Sequence, residues 1–130
     1  MPEVIYKGLR YSCVLSDKAM KQIGFNRNDI DFPKKICGED SKELLARIVR
    51  YCDGIPLNEP LELNNEGPYF WAIKTARPES LRAYFFHDED YNGENMVITH
   101  FIKKTTQKLT LEDKTKMKLI RDEYIRNGGV

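Results

Sequence analysis

The chain is 130 residues long, 41% apolar and 32% charged, with a net charge of +1. That size fits a single domain, residues 1–130, able to bury about two-thirds of its unfolded surface. The composition excludes a disordered chain, and no run approaches the roughly 20 apolar residues of a membrane span.

Residues Glu3 to Leu15 mix Val, Ile, Tyr and Leu with polar residues and predict one strand. Ser16 and Asp17 offer an N-cap for a short helix over Lys18–Ile23, stopped at Gly24. Asn26 to Gly38, with two Asp, a Pro and a Gly, predicts an irregular stretch. Ser41 to Tyr51 is a clearer helix. Leu44, Leu45, Ile48, Val49 and Cys52 recur at helical spacing, and Gly54 marks a stop. Pro56 and Pro60 then predict an extended connection.

Phe70–Lys74 reads as a strand, residues 77–80 as a turn and Leu81–His87 as a second strand. Asn92-Gly93 inside an acidic loop is a hairpin signal, with Asn95–Phe101 as the returning strand. Thr110-Leu111-Glu112-Asp113 matches a capping box with Asp in its last position, so a final helix starts there. Leu111, Thr115, Leu119 and Ile120 suggest its apolar stripe, and Gly128-Gly129 its end. Runs of strands set apart from runs of helices predict an α+β fold. The expected architecture is a small, mostly antiparallel sheet with helices packed on one face, the other face being left for binding.

Cys13, Cys37 and Cys52 are odd in number and form no CxxC, so buried thiols are expected rather than disulfides or a zinc site. The opening residues, MPEVIYKGLRY, lack the apolar core of a signal peptide, which sets the expected location as the cytoplasm. Residues 101–130 carry a net +4 and residues 39–66 a net −4. A basic end beside an acidic middle permits a local polyanion site or a solvated helix face.

Lys74, Arg82, Lys103 and Lys104 fall on neighbouring strands or at their ends and are candidates to converge on a phosphate. Alternation groups Arg82, Tyr84 and Phe86 on one side of their strand, and Met96, Ile98 and His100 on one side of the next. His87 and His100 are the only histidines and the only side chains whose ordinary pKa suits acid–base work near neutrality. A histidine on a strand also serves a purely structural role. Trp71 with Tyr84 is a candidate stacking platform for RNA bases, with a place in the core as the alternative for both. No Ser-His-acid or metal-ligand spacing occurs, so no metal or cofactor is expected.

From Leu44 to about Tyr124 the chain resembles the RelE/HigB superfamily of toxin–antitoxin toxins, closest to the phage-derived HigB-like branch. The matching residues are the helix ending near Gly54, the Pro56–Pro60 stretch and Tyr69-Phe70-Trp71-Ala72-Ile73-Lys74. Leu81-Arg82-Ala83-Tyr84-Phe85-Phe86 follows, then His100-Phe101-Ile102-Lys103-Lys104-Thr105 with Gln107-Lys108. The resemblance implies a RelE-like fold and a ribosome-dependent mRNA endonuclease that works by 2′-hydroxyl attack without metal. It also implies a cognate helix-turn-helix antitoxin as partner, beside mRNA and the ribosome, and no membrane.

On this reading Arg82 and Lys103 hold the phosphate, Lys104 the phosphate or leaving group, and His100 is an acid–base candidate. Lys74, Lys108 and Trp71 bind RNA. Where the family carries Glu-x-Arg, this chain has Ala72-Ile73-Lys74, so the general base is left unassigned. A non-catalytic interaction module on the same fold and a ParE-like gyrase inhibitor are the alternatives.

Overall fold

A computed structural model describes residues 2–23, 40–75, 80–88, 94–104 and 109–129. The Gly24 stop, the stretch 26–38, Cys37, the turn at 77–79, the Asn92-Gly93 hairpin tip and Lys108 lie outside the described residues.

The elements are β1 (Glu3–Lys7), β2 (Ser12–Leu15), α1 (Asp17–Ile23), α2 (Asp40–Cys52), β3 (Leu63–Asn65), β4 (Phe70–Lys74), β5 (Ser80–His87), β6 (Asn95–Lys104) and α3 (Leu111–Arg126). The six strands form one sheet in the order β1-β2-β6-β5-β4-β3. Only the β2–β6 pairing is parallel. The α+β class and the mostly antiparallel sheet are as the sequence pattern predicts. Among the described residues, no helix is long and apolar enough to cross a membrane.

The predicted first strand is two. The chain turns back after Lys7, and β1 pairs antiparallel with β2. Gly8 lies so close to α2 that a Cβ there would sit 2.4 Å from the Cys52 carbonyl oxygen. That carbonyl, at the end of α2, accepts from the backbone N–H groups of Arg10 and Tyr11, both at 2.8 Å. Asp53 accepts from the Tyr6 hydroxyl at 2.9 Å and from the Leu9 N–H at 3.1 Å. The hairpin therefore caps the C-terminus of α2, satisfying an acceptor that helix geometry leaves orphaned.

The strand β3 was not predicted. Leu-Asn-Asn is poor strand material, and pairing with β4 rather than propensity makes it. At α1, Ser16 Oγ accepts from the Ala19 N–H at 3.1 Å, the expected N-cap, and donates to the Thr99 carbonyl at 2.7 Å. Gly54, at φ +80°, ends α2 as expected.

Helices cover both faces of the sheet, not one. On the first face Cys13, Leu15, Ile73, Ala83, Phe85 and Ile98 pack with Ala19 of α1 and with Leu44, Ile48 and Cys52 of α2. On the second, Val14, Phe70, Ala72, Tyr84, Phe86 and Val97 pack with Met117 and Tyr124 of α3. The stripe expected on α3 is not its buried side: Leu111 is 79% exposed and Leu119 64%. The buried residues are Asp113, Met117 and Tyr124, spaced four and seven apart.

The β5–β6 register holds one irregularity. Tyr84 pairs with His100 but Phe85 pairs with Ile98, so Thr99 is an extra residue in β6. This bulge reverses the alternation. His100 lies beside Tyr84 on the α3 face, not with Met96 and Ile98, and Phe101 joins the opposite cluster.

Candidate functional site

Lys74 and Arg82 are direct cross-strand partners of β4 and β5. Alternation places both on the α3 face, in line with Ala72 and Tyr84. Arg82 is 1% exposed and Lys74 7%. Burial, and then the Arg82 guanidinium beside it, push the Lys74 ammonium below its ordinary value; Glu66 acts the other way. The Lys74 carbonyl accepts from Arg47 of α2. Arg47 is in turn fixed by Glu43 at 2.8 Å and Glu62 at 3.2 Å, so the end of β4 is held from behind.

Lys103 does not join this pair. It is the partner of Leu81, whose side chain belongs to the first-face core, and it is exposed. The backbone of Lys104 pairs with Ser80 at the end of β6, one residue from the Lys103–Leu81 pair. Trp71 is half-buried and packs against the first-face core, away from Arg82. The structure thus brings Lys74 and Arg82 together and sets Lys103 and Trp71 on the opposite face.

His100 is fully buried. Its Nε2 lies 3.1 Å from Asp113 Oδ1, and its Nδ1 3.1 Å from Thr99 Oγ1. Burial lowers its pKa, while the Asp113 carboxylate works to raise it. A neutral ring facing a carboxylate carries its hydrogen on Nε2; Nδ1 and the Tyr84 carbonyl, the latter at 3.3 Å, both lie within reach of the one hydrogen of the Thr99 hydroxyl. Asp113 also accepts from the Thr110 hydroxyl at 2.8 Å, and its N–H donates to Thr110 Oγ1 at 3.1 Å. The N-cap predicted at Thr110 is present, with Asp113 reaching back to the Thr110 hydroxyl, and that acid doubles as the partner of His100. This is the chemistry of a structural clamp between β6 and α3, whose His100 and Asp113 are buried.

The clamp makes a pH prediction. With the folded pKa below the unfolded value near 6.5, the unfolded chain takes up a proton that the folded chain refuses. His100's contribution is complete above pH 6.5 and is lost as pH falls toward the folded pKa. One such group gives a slope of at most about 1.4 kcal/mol per pH unit. Urea melts at several pH values between 5 and 7.5 should show a shallower slope for His100→Gln than for the unmodified protein. Parallel curves would remove this account.

His87 is half-buried, its Nε2 2.7 Å from the Tyr51 hydroxyl within an aromatic group that includes Tyr11. Asp88, which the sequence places in a charged hairpin tip, is buried. It accepts from Asn95 at 2.6 Å and from the Tyr124 hydroxyl at 3.1 Å. Cys13 and Cys52 are buried free thiols, as expected. Among the described residues, no three His, Cys, Asp or Glu gather where they could hold a metal ion.

The open feature of the α3 face was missed in the sequence. A cleft of about 460 Å³ separates α3 from the turn that joins β3 to β4. Phe70 and Met117 are among its lining residues; Lys114, Lys118 and Arg121 line it from α3, and Glu66 and Tyr69 from the turn. Tyr69 has φ +74°, a left-handed conformation that a bulky residue rarely adopts, and it is 56% exposed. The Arg121 guanidinium lies 4.1 Å from its ring centroid. The signal was present as the spacing of 114, 118 and 121, which places three cations on one side of a helix.

Comparison with known protein families, with curated proteins and with solved structures finds no match for this chain.

Proposed function

We propose that the chain is the toxin of a type II toxin–antitoxin pair, a ribosome-dependent endoribonuclease acting on mRNA in the cytoplasm. The observation that carries this reading is the Lys74–Arg82 pair. Lys74 is held beside Arg82, and burial and then that guanidinium disfavour its charge. An RNA phosphate brought to them reverses that balance and is bound more strongly than by solvated lysines. The same pair neutralises charge as the 2′-hydroxyl attacks the phosphate, a step that needs no metal. The resemblance of residues 44–124 to RelE/HigB toxins supports the reading, and a helix-turn-helix antitoxin is its expected partner.

A second reading is favoured by one observation. Arg82 is 1% exposed and His100 is sealed against Asp113, so the acid–base candidate lies out of reach of substrate. On that reading the protein is an interaction module that does not cut.

Expression in a bacterial host, with growth and mRNA 5′ ends followed, separates the readings. The nuclease reading expects growth arrest with new internal mRNA ends, both abolished in Lys74→Met/Arg82→Gln produced at equal soluble level. Arrest with DNA damage and intact mRNA would instead identify a gyrase inhibitor. Normal growth with abundant soluble protein would leave the interaction module.

A further inference from the structure

The cleft beside α3 holds features that the Lys74–Arg82 pair does not use. Its volume of about 460 Å³ suits a small ligand rather than a protein segment. Lys114, Lys118 and Arg121 present three positive charges from one side of α3, against Glu66 across the cleft and Asp122 beside them. The Arg121 Nε is buried and has no hydrogen-bond partner among the described residues. Its guanidinium stacks on Tyr69 at 4.1 Å and lies 5.9 Å from Phe86. Tyr69 holds its left-handed backbone conformation in the cleft lining, where its aromatic ring is largely exposed.

Cations, an apolar floor and an exposed ring call for a ligand that is anionic and flat. A nucleotide is both: the base has a π-face for Tyr69, and the phosphate suits the lysines. Glu66 Oε1, already accepting from Asn64 Nδ2 at 3.1 Å, supplies an acceptor for a ribose hydroxyl or a base amine. The cleft also lies on the same sheet face as Lys74. The five residues from Phe70 to Lys74 span about 13 Å of strand, within reach of one short single strand.

We propose that the cleft between α3 and the β3–β4 turn binds one nucleotide of single-stranded RNA, with its base on Tyr69 and its phosphate on Lys114 and Lys118. The inference rests on the RNA reading above and adds a second contact point to it. Adenosine 5′-monophosphate, inorganic phosphate and a five-residue oligoadenylate serve as probes, titrated into the purified full chain and followed by amide chemical shifts. The monophosphate should shift resonances of α3 and of residues 66–70, and the oligoadenylate should bind more tightly. Lys118→Glu, on an exposed position, should weaken both about tenfold. Tyr69→Gly, which removes the ring and relieves the strain, should weaken the monophosphate about tenfold and leave inorganic phosphate unchanged.

Absent shifts in the cleft, or equal affinities in both variants, overturn the proposal. So does an acidic octapeptide that binds the cleft more tightly than the oligoadenylate. Cellular mRNA cutting undiminished in the cleft variant Lys118→Glu/Tyr69→Gly sinks the cleft and spares the nuclease reading. Nucleotide binding in the cleft without growth arrest spares the cleft and sinks the nuclease.

Discussion

Asp113→Ala is expected to lower stability by about 3 kcal/mol, read as the midpoint shift in urea or thermal unfolding at neutral pH. One side chain performs three tasks there. It accepts from His100 Nε2 and from the Thr110 hydroxyl, and it places negative charge in the first turn of α3. Loss of the acceptor strands a buried ring N–H, at about 1–3 kcal/mol. Weakening the cap removes about 1 kcal/mol more. Asp113→Asn keeps an oxygen for one donor and should cost roughly half as much. A loss below about 1 kcal/mol for the alanine variant would mean that α3 is held by Met117 and Tyr124 alone. The consequence reaches function, because the N-terminal half of α3 carries Lys114 and Lys118 into the cleft.

That clamp also shows where sequence reasoning reaches and where it stops. Signals confined to a few neighbouring residues were legible. The Leu44–Ile48–Cys52 face, the Thr110–Asp113 cap, the Gly54 stop and the strands β4 to β6 all follow from local spacing and turn chemistry. Features set by distant partners were not. The β1–β2 turn exists because the Cys52 carbonyl, more than 40 residues on, receives its N–H groups. One bulged residue, Thr99, moved His100 to the other face, since side-chain alternation has period two and an insertion of one inverts it.

The stripe of α3 was misread for a related reason. Its buried side includes Asp113, which counts as polar in any hydropathy pattern, while Leu111 and Leu119 face solvent. Of the candidate site, the Lys74–Arg82 pairing was legible as strand neighbours. The separation of Lys103 was not, because it depends on the bulge. Tyr69 and Arg121 were hidden, since their meeting joins a strand-like run to a helix about 50 residues away.

Lys74→Met is expected to move stability and RNA binding in opposite directions. Lys74 is buried, and its ammonium is disfavoured first by burial and then by Arg82. Methionine keeps an unbranched chain of similar length and removes the charge. Removing the buried charge, and with it the like-charge contact, should raise stability, read as a higher Tm. If Lys74 meets an RNA phosphate, the same change should make the slope of log K against log salt shallower by about 0.7, the value for one phosphate contact on a single strand. It should also weaken a short oligoribonucleotide about tenfold at low salt. The combination separates two accounts of the pair. A cation kept for a ligand destabilises the free protein, and removing it trades affinity for stability. A cation kept for the fold would do the reverse: Lys74→Met would lower Tm by several degrees and leave the salt slope untouched. That outcome would transfer any RNA binding away from the Lys74–Arg82 pair and onto the exposed cations of α3.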